Sequence, residues 1–163
     1  MAVGALLAAI VRPPPRRTGF YALRGHRIFA VRGASVQGVD VQYRGRRFVA
    51  RRTASGWDID GSGASHGASG AIGDLVDTLV TLRAIDVFRP RDQTAFGFDR
   101  PHATIDLVTS RRRQRLVLGG LNAAGSALYA RHDRDPRVFL VGTLLLSEIE
   151  RVFYERDGAR DSS

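Results

Sequence analysis

The chain has no cysteine, no lysine and no long apolar run. Without cysteine it can have neither a disulfide framework nor a thiolate metal site. Because lysine is absent, all 25 basic residues are arginine. We interpret this first as a coding bias towards GC-rich codons and second as a need for guanidinium chemistry. The apolar run at residues 2–11 is shorter than the roughly 20 residues that a membrane-spanning helix requires.

The 163 residues are enough for one domain with one buried core. The net charge of +9 is concentrated near the start, because residues 1–52 carry +10 and residues 53–163 carry −1. A basic N-terminal third fits a protein that binds nucleic acid, and it also fits a segment that faces an anionic lipid surface. The charge alone leaves both classes open.

Residues 1–24 are predicted to be a separate N-terminal segment. Their apolar run lacks the basic start and the cleavage site of a signal peptide. The three prolines at positions 13–15 end any helix and favour a stiff, extended spacer. Two interpretations remain, namely the end of a membrane anchor whose start lies further upstream and a disordered N-terminus.

Residues 25–156 are predicted to form a single α+β domain. Alternation of apolar and polar residues predicts strands, with a tight turn at Arg44 and Gly45. The predicted strands cover residues 27–31, 39–43, 48–52, 56–59, 104–108, 114–118, 127–131 and 137–141. Hairpins of this kind with helices on one side are typical of the α+β class.

Two amphipathic helices are expected to follow the two groups of strands. Apolar residues recur at helical spacing over residues 71–84, with Ser69 as the predicted N-cap after a Gly/Ser-rich loop at residues 60–70. Thr143 is predicted to cap the last helix, and residues 157–163 to be a disordered tail. The two halves read alike, which predicts antiparallel β-meander sheets and a duplicated β-hairpin-plus-helix unit.

Several short motifs follow one another in a recognisable order. They are Gly56-Trp57, the Leu-Arg-Ala at residues 82–84, the aromatic-Gly-apolar-Asp-x-Pro at residues 96–101, and strand segments at residues 116–119, 128–131 and 138–141. With these motifs the chain resembles the bacterial domain-of-unknown-function family 4340 over roughly residues 36–155. The most specific element is the segment at residues 96–101.

The resemblance implies an accessory or binding role in the cell envelope. Members of this family commonly have an N-terminal membrane anchor and are associated with ABC-type transport and gliding-motility components. We therefore expect protein partners of that kind and a location on the outer face of the inner membrane, with a cytoplasmic location as the alternative. This chain departs from the pattern in its short apolar N-terminus, and it has Asp60-Gly61-Ser62 where a proline is usual.

The residues that carry the resemblance are interpreted as structural. Gly97 is expected to take a conformation closed to other residues, Pro101 to fix the entry into the next strand, and Gly119 to end a strand. Trp57 is interpreted as a core anchor, with a ligand platform as the alternative. The whole structural motif consists of Trp57, Phe96, Gly97, Asp99, Pro101, Gly119 and Tyr129.

No catalytic residue, cofactor site or metal site is predicted. The four histidines lie in different predicted elements, without the spacing of a metal site. Asp58 and Asp60 alternate on a predicted strand and so share a face. We interpret this face as solvated, which is simpler than a pair of carboxylates that performs acid–base chemistry. The glycines between residues 61 and 70 are not followed by a phosphate-binding motif, which favours a flexible connector.

One cluster of arginines is a candidate anion-binding site. It consists of Arg44, Arg46, Arg47, Arg51 and Arg52 on one predicted hairpin. Alternation places Arg46 and Arg52 on the face of Phe48, and Arg47 and Arg51 on the opposite face, so a solvated rim is the simpler interpretation.

Two functions remain as hypotheses. The first is a non-catalytic accessory domain that binds a protein or a ligand in the cell envelope, with an anionic lipid surface as a further partner. The second, which the sequence favours less, is a nucleic-acid-binding module that uses the arginine hairpin.

Overall fold

A computed structural model describes residues 25–61 and 66–160, with the side chains of residues 159 and 160 excepted. The predicted N-terminal segment at residues 1–24 lies outside the described residues. The strands are β1 (Val36–Tyr43), β2 (Arg46–Thr53), β3 (Gly56–Ile59), β4 (Asp86–Phe88), β5 (Ala103–Thr109), β6 (Arg113–Leu121), β7 (Ala127–His132) and β8 (Val138–Gly142). The helices are α1 (His66–Thr81) and α2 (Leu144–Arg160).

The eight strands form one antiparallel sheet in the order β3-β2-β1-β5-β6-β7-β8-β4. Two meanders, β1 to β3 and β5 to β8, meet where β1 pairs with β5. Each meander is followed by one helix, as the similarity of the two halves predicted, although both share a single sheet. The predicted α+β class is confirmed.

Both helices contribute to a core on one face of the sheet. Alternate residues of the strands, such as Val41, Phe48 and Leu116, are fully buried in the same cluster as the apolar stripes of the helices. In α2 the ring of Phe153 packs edge-on against Phe48 with 5.2 Å between centroids. The opposite face of the sheet carries the other residue of each alternation, and we call it the open face. Within the described residues, no helix is long and apolar enough to cross a membrane.

Helix α1 begins at His66 rather than at residue 71, so Ser69 is not its N-cap. The side chain of Ser69 has another use, because its Oγ accepts a hydrogen bond from the backbone N–H of Trp57 at 3.0 Å. This bond links α1 to the edge strand β3. The connection between β3 and α1 is correspondingly shorter than the predicted loop.

The predicted strand at residues 27–31 is wrong. Only an isolated antiparallel bridge forms there, between Arg27 and Arg83. The segment lies against the end of α1, where Arg27 Nη2 donates to the carbonyl oxygen of Val80 at 2.6 Å. Ile28 and Phe29 are both buried, which breaks the alternation expected of a half-buried strand.

The disordered tail predicted from Asp157 onwards is also corrected. Helix α2 continues through Arg160, and the carboxylate of Asp157 pairs with Arg46 and with Arg156. These partners come from β2 and from α2 itself. The local sequence pattern around Asp157 does not show its contact with β2.

Candidate functional site

The clearest candidate site is a cluster of three rings on the open face. The rings belong to Phe88 in β4, Phe96 in the 3-10 turn Thr94–Phe96, and Tyr129 in β7. Their centroids are 5.4 Å apart for Phe88 and Phe96, 4.7 Å for Phe96 and Tyr129, and 6.1 Å for Phe88 and Tyr129. All three rings remain half-buried, so they present aromatic surface to solvent.

One glycine of β6 and one glycine of the turn allow the turn that carries Phe96 to lie on the sheet. A Cβ on Gly119 would overlap the carbonyl oxygen of Phe96 and would stand 3.0 Å from the ring of Phe98. Gly97 has a φ of +74°, and a Cβ there would stand 2.8 Å from the backbone nitrogen of Gly120. Gly119 was predicted to end a strand. It lies instead within β6, where the absence of a side chain permits close approach of the backbone of the turn.

The rings form the wall of a cleft of about 570 Å³. Its lining includes the cross-strand row of Tyr129, Leu140 and Asp86, which are paired in register. The full lining is Asp86, Phe88, Phe96, Asn122, Ala123, Ala124, Tyr129 and Leu140. A mostly apolar concavity of this size with few polar groups is typical of a binding site.

The predicted structural-motif residues are only partly brought together. Phe96 and Tyr129 line the cleft, and Gly97 and Gly119 allow the turn that carries Phe96 to approach β6. Trp57 lies elsewhere, 6% exposed in the core, with the guanidinium of Arg52 at 4.6 Å from its ring centroid; this geometry supports the core-anchor interpretation. Asp99 and Pro101 are exposed in the connection that leads into β5.

Six lining residues were missed as site residues, namely Asp86, Phe88, Asn122, Ala123, Ala124 and Leu140. Strand β4, which carries Phe88 and Asp86, has only three residues and is too short to show an alternation. The only sequence signal for this strand was the pair of adjacent apolar residues Val87 and Phe88. Even a short strand that is exposed on one side needs at least one buried residue, and an apolar pair can supply it.

Three arginines of the candidate anion site are held by the fold. Arg47 donates from Nε and Nη2 to the two oxygens of Asp40 at 2.9 and 2.7 Å, and this hydrogen bonding lowers the pKa of Asp40. Arg46 pairs with Asp157. Arg52 donates from Nε to the carbonyl oxygen of Val36 at 2.9 Å.

The other two arginines, Arg44 and Arg51, are exposed. Arg44 has a φ of +47° in the turn between β1 and β2, and its Nη1 lies 3.7 Å from Glu150 Oε1. Arg51 lies on the open face with Arg47, whereas Arg46 and Arg52 share the side of Phe48, as the alternation predicted. The five arginines thus do not converge on one site.

A second concavity, which we call the polar groove, lies beside the β1–β2 turn. Its volume is about 350 Å³. Its lining is Gln42, Tyr43, Arg44, Gly45, Arg46, Arg47, Pro101, His102 and Thr104. Arg47, Gln42 and Thr104 form one cross-strand row on the open face.

Between the two concavities the open face has a network of opposite charges. Asp106 is buried, with 5% of its side chain exposed, and accepts from Arg115 Nε and Nη2 at 2.7 Å each. Arg113 Nη1 lies 3.3 Å from the same carboxylate. Because Asp40 and Asp106 are directly opposite in register, these guanidinium groups offset the repulsion between two carboxylates. The hydrogen bonds that Arg115 donates to Asp106 raise the pKa of Arg115.

Asp58 and Asp60, which the sequence analysis considered as a pair of carboxylates, have different backbone settings. Strand β3 ends at Ile59, and Asp60 leaves the alternation with a φ of +54°. Its Oδ1 accepts the backbone N–H of Val49 at 2.9 Å, so Asp58 and Asp60 do not form a pair on one strand face. In the part of the chain that the structure describes, no group of three or more histidine, aspartate or glutamate residues could hold a metal ion.

The fold and its cleft define an α+β domain with one antiparallel sheet, two helices on one face and a binding-sized concavity on the other. The chain belongs to the family described as Domain of unknown function (DUF4340), whose model matches residues 57–153. The match begins in β3 and ends in α2, so it contains the aromatic cleft and excludes the arginine hairpin. No curated protein and no solved structure matches the chain.

Proposed function

We propose that this chain is a non-catalytic accessory domain that binds a protein component of the bacterial cell envelope through the aromatic cleft. The observation that carries the proposal is the half-exposed cluster of Phe88, Phe96 and Tyr129 above a cleft of about 570 Å³. The family resemblance points to an ABC-type transport or motility assembly as the source of the partner.

The lining of the cleft favours a protein partner. Phe88, Phe96 and Tyr129 line it together with Leu140, and all three rings are half-buried. Aromatic residues are enriched where proteins meet, and contiguous exposed apolar surface is typical of such interfaces. The occupant we propose is an apolar side chain of the partner, which would cover the three rings.

The alternative use of the arginine hairpin has less support. Arg46, Arg47 and Arg52 already bond to groups of the fold, and they point to two different sides of β2. A surface that binds nucleic acid needs several cations directed at the same backbone of phosphates. The hairpin also lies outside the matched family region.

Site-specific cross-linking in the native host tests the proposal. A photoreactive phenylalanine analogue replaces Ala124, an exposed residue that lines the cleft. The matched control places the same analogue at Ala54, an exposed residue in the turn between β2 and β3 at the other edge of the sheet. The second variant, Ala123→Arg, adds a long side chain at an exposed lining position, which fills the cleft while leaving the core intact.

We expect an adduct with an identified transport or motility component from position 124, none from position 54, and loss of the adduct when Ala123→Arg is added. Equal adducts from both positions would contradict the cleft as the site. An adduct that survives Ala123→Arg would do the same. Recovery of the chain from the soluble fraction with nucleic acid or ribosomal proteins would favour the arginine hairpin instead.

A further inference from the structure

The polar groove collects hydrogen-bond donors that the fold itself leaves unused. Among the described residues, the side chains of Gln42, His102 and Thr104 make no hydrogen bond, and all three line the groove. Gln42 and Thr104 are directly opposite in register on β1 and β5. His102 precedes β5, where its backbone N–H donates to the carbonyl oxygen of Leu118 at 2.8 Å and fixes the chain at the groove.

Three arginines, Arg44, Arg46 and Arg47, line the same groove, and Arg46 is paired with Asp157. Arg47 uses Nε and Nη2 for Asp40, so its Nη1 is left to face other partners. This side chain is 58% exposed although it is held in place by two hydrogen bonds. Arg44 is 65% exposed; its guanidinium lies 5.0 Å from the centroid of the Tyr43 ring, and its Nη1 forms an ion pair with Glu150 at 3.7 Å, without a hydrogen bond.

The acidic groups near the groove are paired with side chains of the fold. Asp40 is bonded to Arg47, and Glu150 accepts a hydrogen bond from the hydroxyl of Tyr43. Asp157 of α2 pairs with Arg46 and with Arg156. None of these three carboxylates lines the groove, so its lining presents donors and positive charge.

We propose that the polar groove binds a phosphate group. A phosphate offers three or four acceptor oxygens in a tetrahedral arrangement, which suits two guanidinium groups, a hydroxyl, an amide and an imidazole better than the two coplanar oxygens of a carboxylate do. The volume of about 350 Å³ leaves room for the remainder of a phosphate ester. The phosphate can come from a soluble ion or ester, or from the headgroup of an anionic lipid. This inference does not depend on the aromatic cleft, since the two sites share no lining residue.

A titration of the isotope-labelled full chain with inorganic phosphate, at constant ionic strength, tests the site through its backbone amide signals. We expect saturable shifts at Gln42, Gly45 and Thr104. The variant Arg44→Asn removes one guanidinium, and asparagine tolerates the left-handed conformation at this position. Thr104→Val removes only the hydroxyl and keeps the branched shape. Each change is expected to weaken phosphate binding about tenfold, the loss of one hydrogen bond to a charged group.

The matched control is Arg111→Asn, which makes the same change of charge at an exposed arginine in the turn between β5 and β6. We expect this variant to bind phosphate like the unaltered chain. Shifts that do not saturate would overturn the proposal. So would a loss of binding in Arg111→Asn equal to that in Arg44→Asn, because it would indicate a general effect of net charge.

A second arm distinguishes the sources of the phosphate. The chain is sedimented with phosphatidylcholine vesicles that contain or lack phosphatidylglycerol. If Arg44→Asn reduces binding to the anionic vesicles and Arg111→Asn does not, the site takes a lipid headgroup. If the chain saturates with soluble phosphate and does not bind either vesicle, the site takes a soluble phosphate compound. Both results support the phosphate site.

Discussion

The carbonyl oxygen of Phe96 occupies the place where a side chain of Gly119 would stand. A Cβ at Gly119 would also press on the ring of Phe98. Gly119→Ala must therefore displace the backbone of the turn that carries Phe96. We expect a loss of roughly 2–4 kcal/mol in the free energy of unfolding, typical of overpacking against backbone, measured by urea denaturation.

Gly120→Ala is the control for this prediction, because it is adjacent in β6. A Cβ at Gly120 would lie 3.6 Å from the carbonyl oxygen of Phe96, an ordinary contact. We expect its cost to stay within about 1 kcal/mol. If both variants were equally stable, the close approach of the turn to the sheet would not be a feature of the protein in solution.

The buried carboxylate of Asp106 is expected to stabilise the open face. Asp106→Asn keeps the shape of the side chain but leaves Arg113 and Arg115 without their counter-charge. Since those guanidinium groups are 57% and 56% exposed, water compensates in part, and we expect a loss of about 2 kcal/mol. Chemical denaturation measures it. The control Asp74→Asn removes an exposed partner of Arg151 and should change stability by less than about 0.5 kcal/mol; a similar cost for both would contradict a special role of Asp106.

The strands were predictable where one face is buried and the other is open. In β1 and β2 this arrangement produces the alternation of Val39, Val41 and Phe48 with polar neighbours. The same logic fails for β4, since three residues at a sheet edge cannot show a period, and its partner β8 lies far along the chain. It fails again at Ile28 and Phe29, which are consecutive and both buried against the end of α1.

The aromatic cleft was only partly visible in the sequence. Phe96 and Tyr129 were identified individually as structural residues, but their contact depends on the turn that Gly97 and Gly119 permit. Phe88 joins them only because β4 is added to the sheet beyond β8. The split of the arginine hairpin between two faces, by contrast, follows from alternation alone. The carboxylates that hold Arg46 and Arg47 required the tertiary structure.

The hydroxyl of Ser69 is expected to hold the edge strand β3 to α1. Ser69→Ala removes the acceptor of the Trp57 N–H and should cost about 1 kcal/mol. The amide hydrogen of Trp57 should then exchange faster with solvent, which hydrogen-exchange NMR detects residue by residue. Ser147→Ala in α2 is the matched control, because Ser147 is exposed and helical and reports the gain in helix propensity alone. Unchanged exchange at Trp57 in Ser69→Ala would contradict the link.

His132 is expected to make stability depend on pH between about 5 and 7. Its ring packs edge-on against Phe29 with 5.0 Å between centroids, and its Nε2 makes no hydrogen bond, although Asp133 Oδ2 lies 3.4 Å away. Burial lowers the pKa of His132 below the usual value of 6.5, even though Asp133 and Asp135 act in the opposite direction. Arg112 and Arg137 also lower this pKa.

Because the unfolded chain takes up a proton at this histidine before the folded chain does, the free energy of unfolding should fall as the pH drops below about 6.5. Urea denaturation at a series of pH values measures the slope. His132→Gln should flatten it, whereas His26→Gln, at an exposed histidine, should not. Asp40 affects stability in a separate pH range. Its hydrogen bond with Arg47 lowers its pKa, so the stabilisation of the folded state by this ionised carboxylate is present above pH 3.8 and is lost below it. A slope between pH 5 and 7 that persists in His132→Gln would show that another group titrates there.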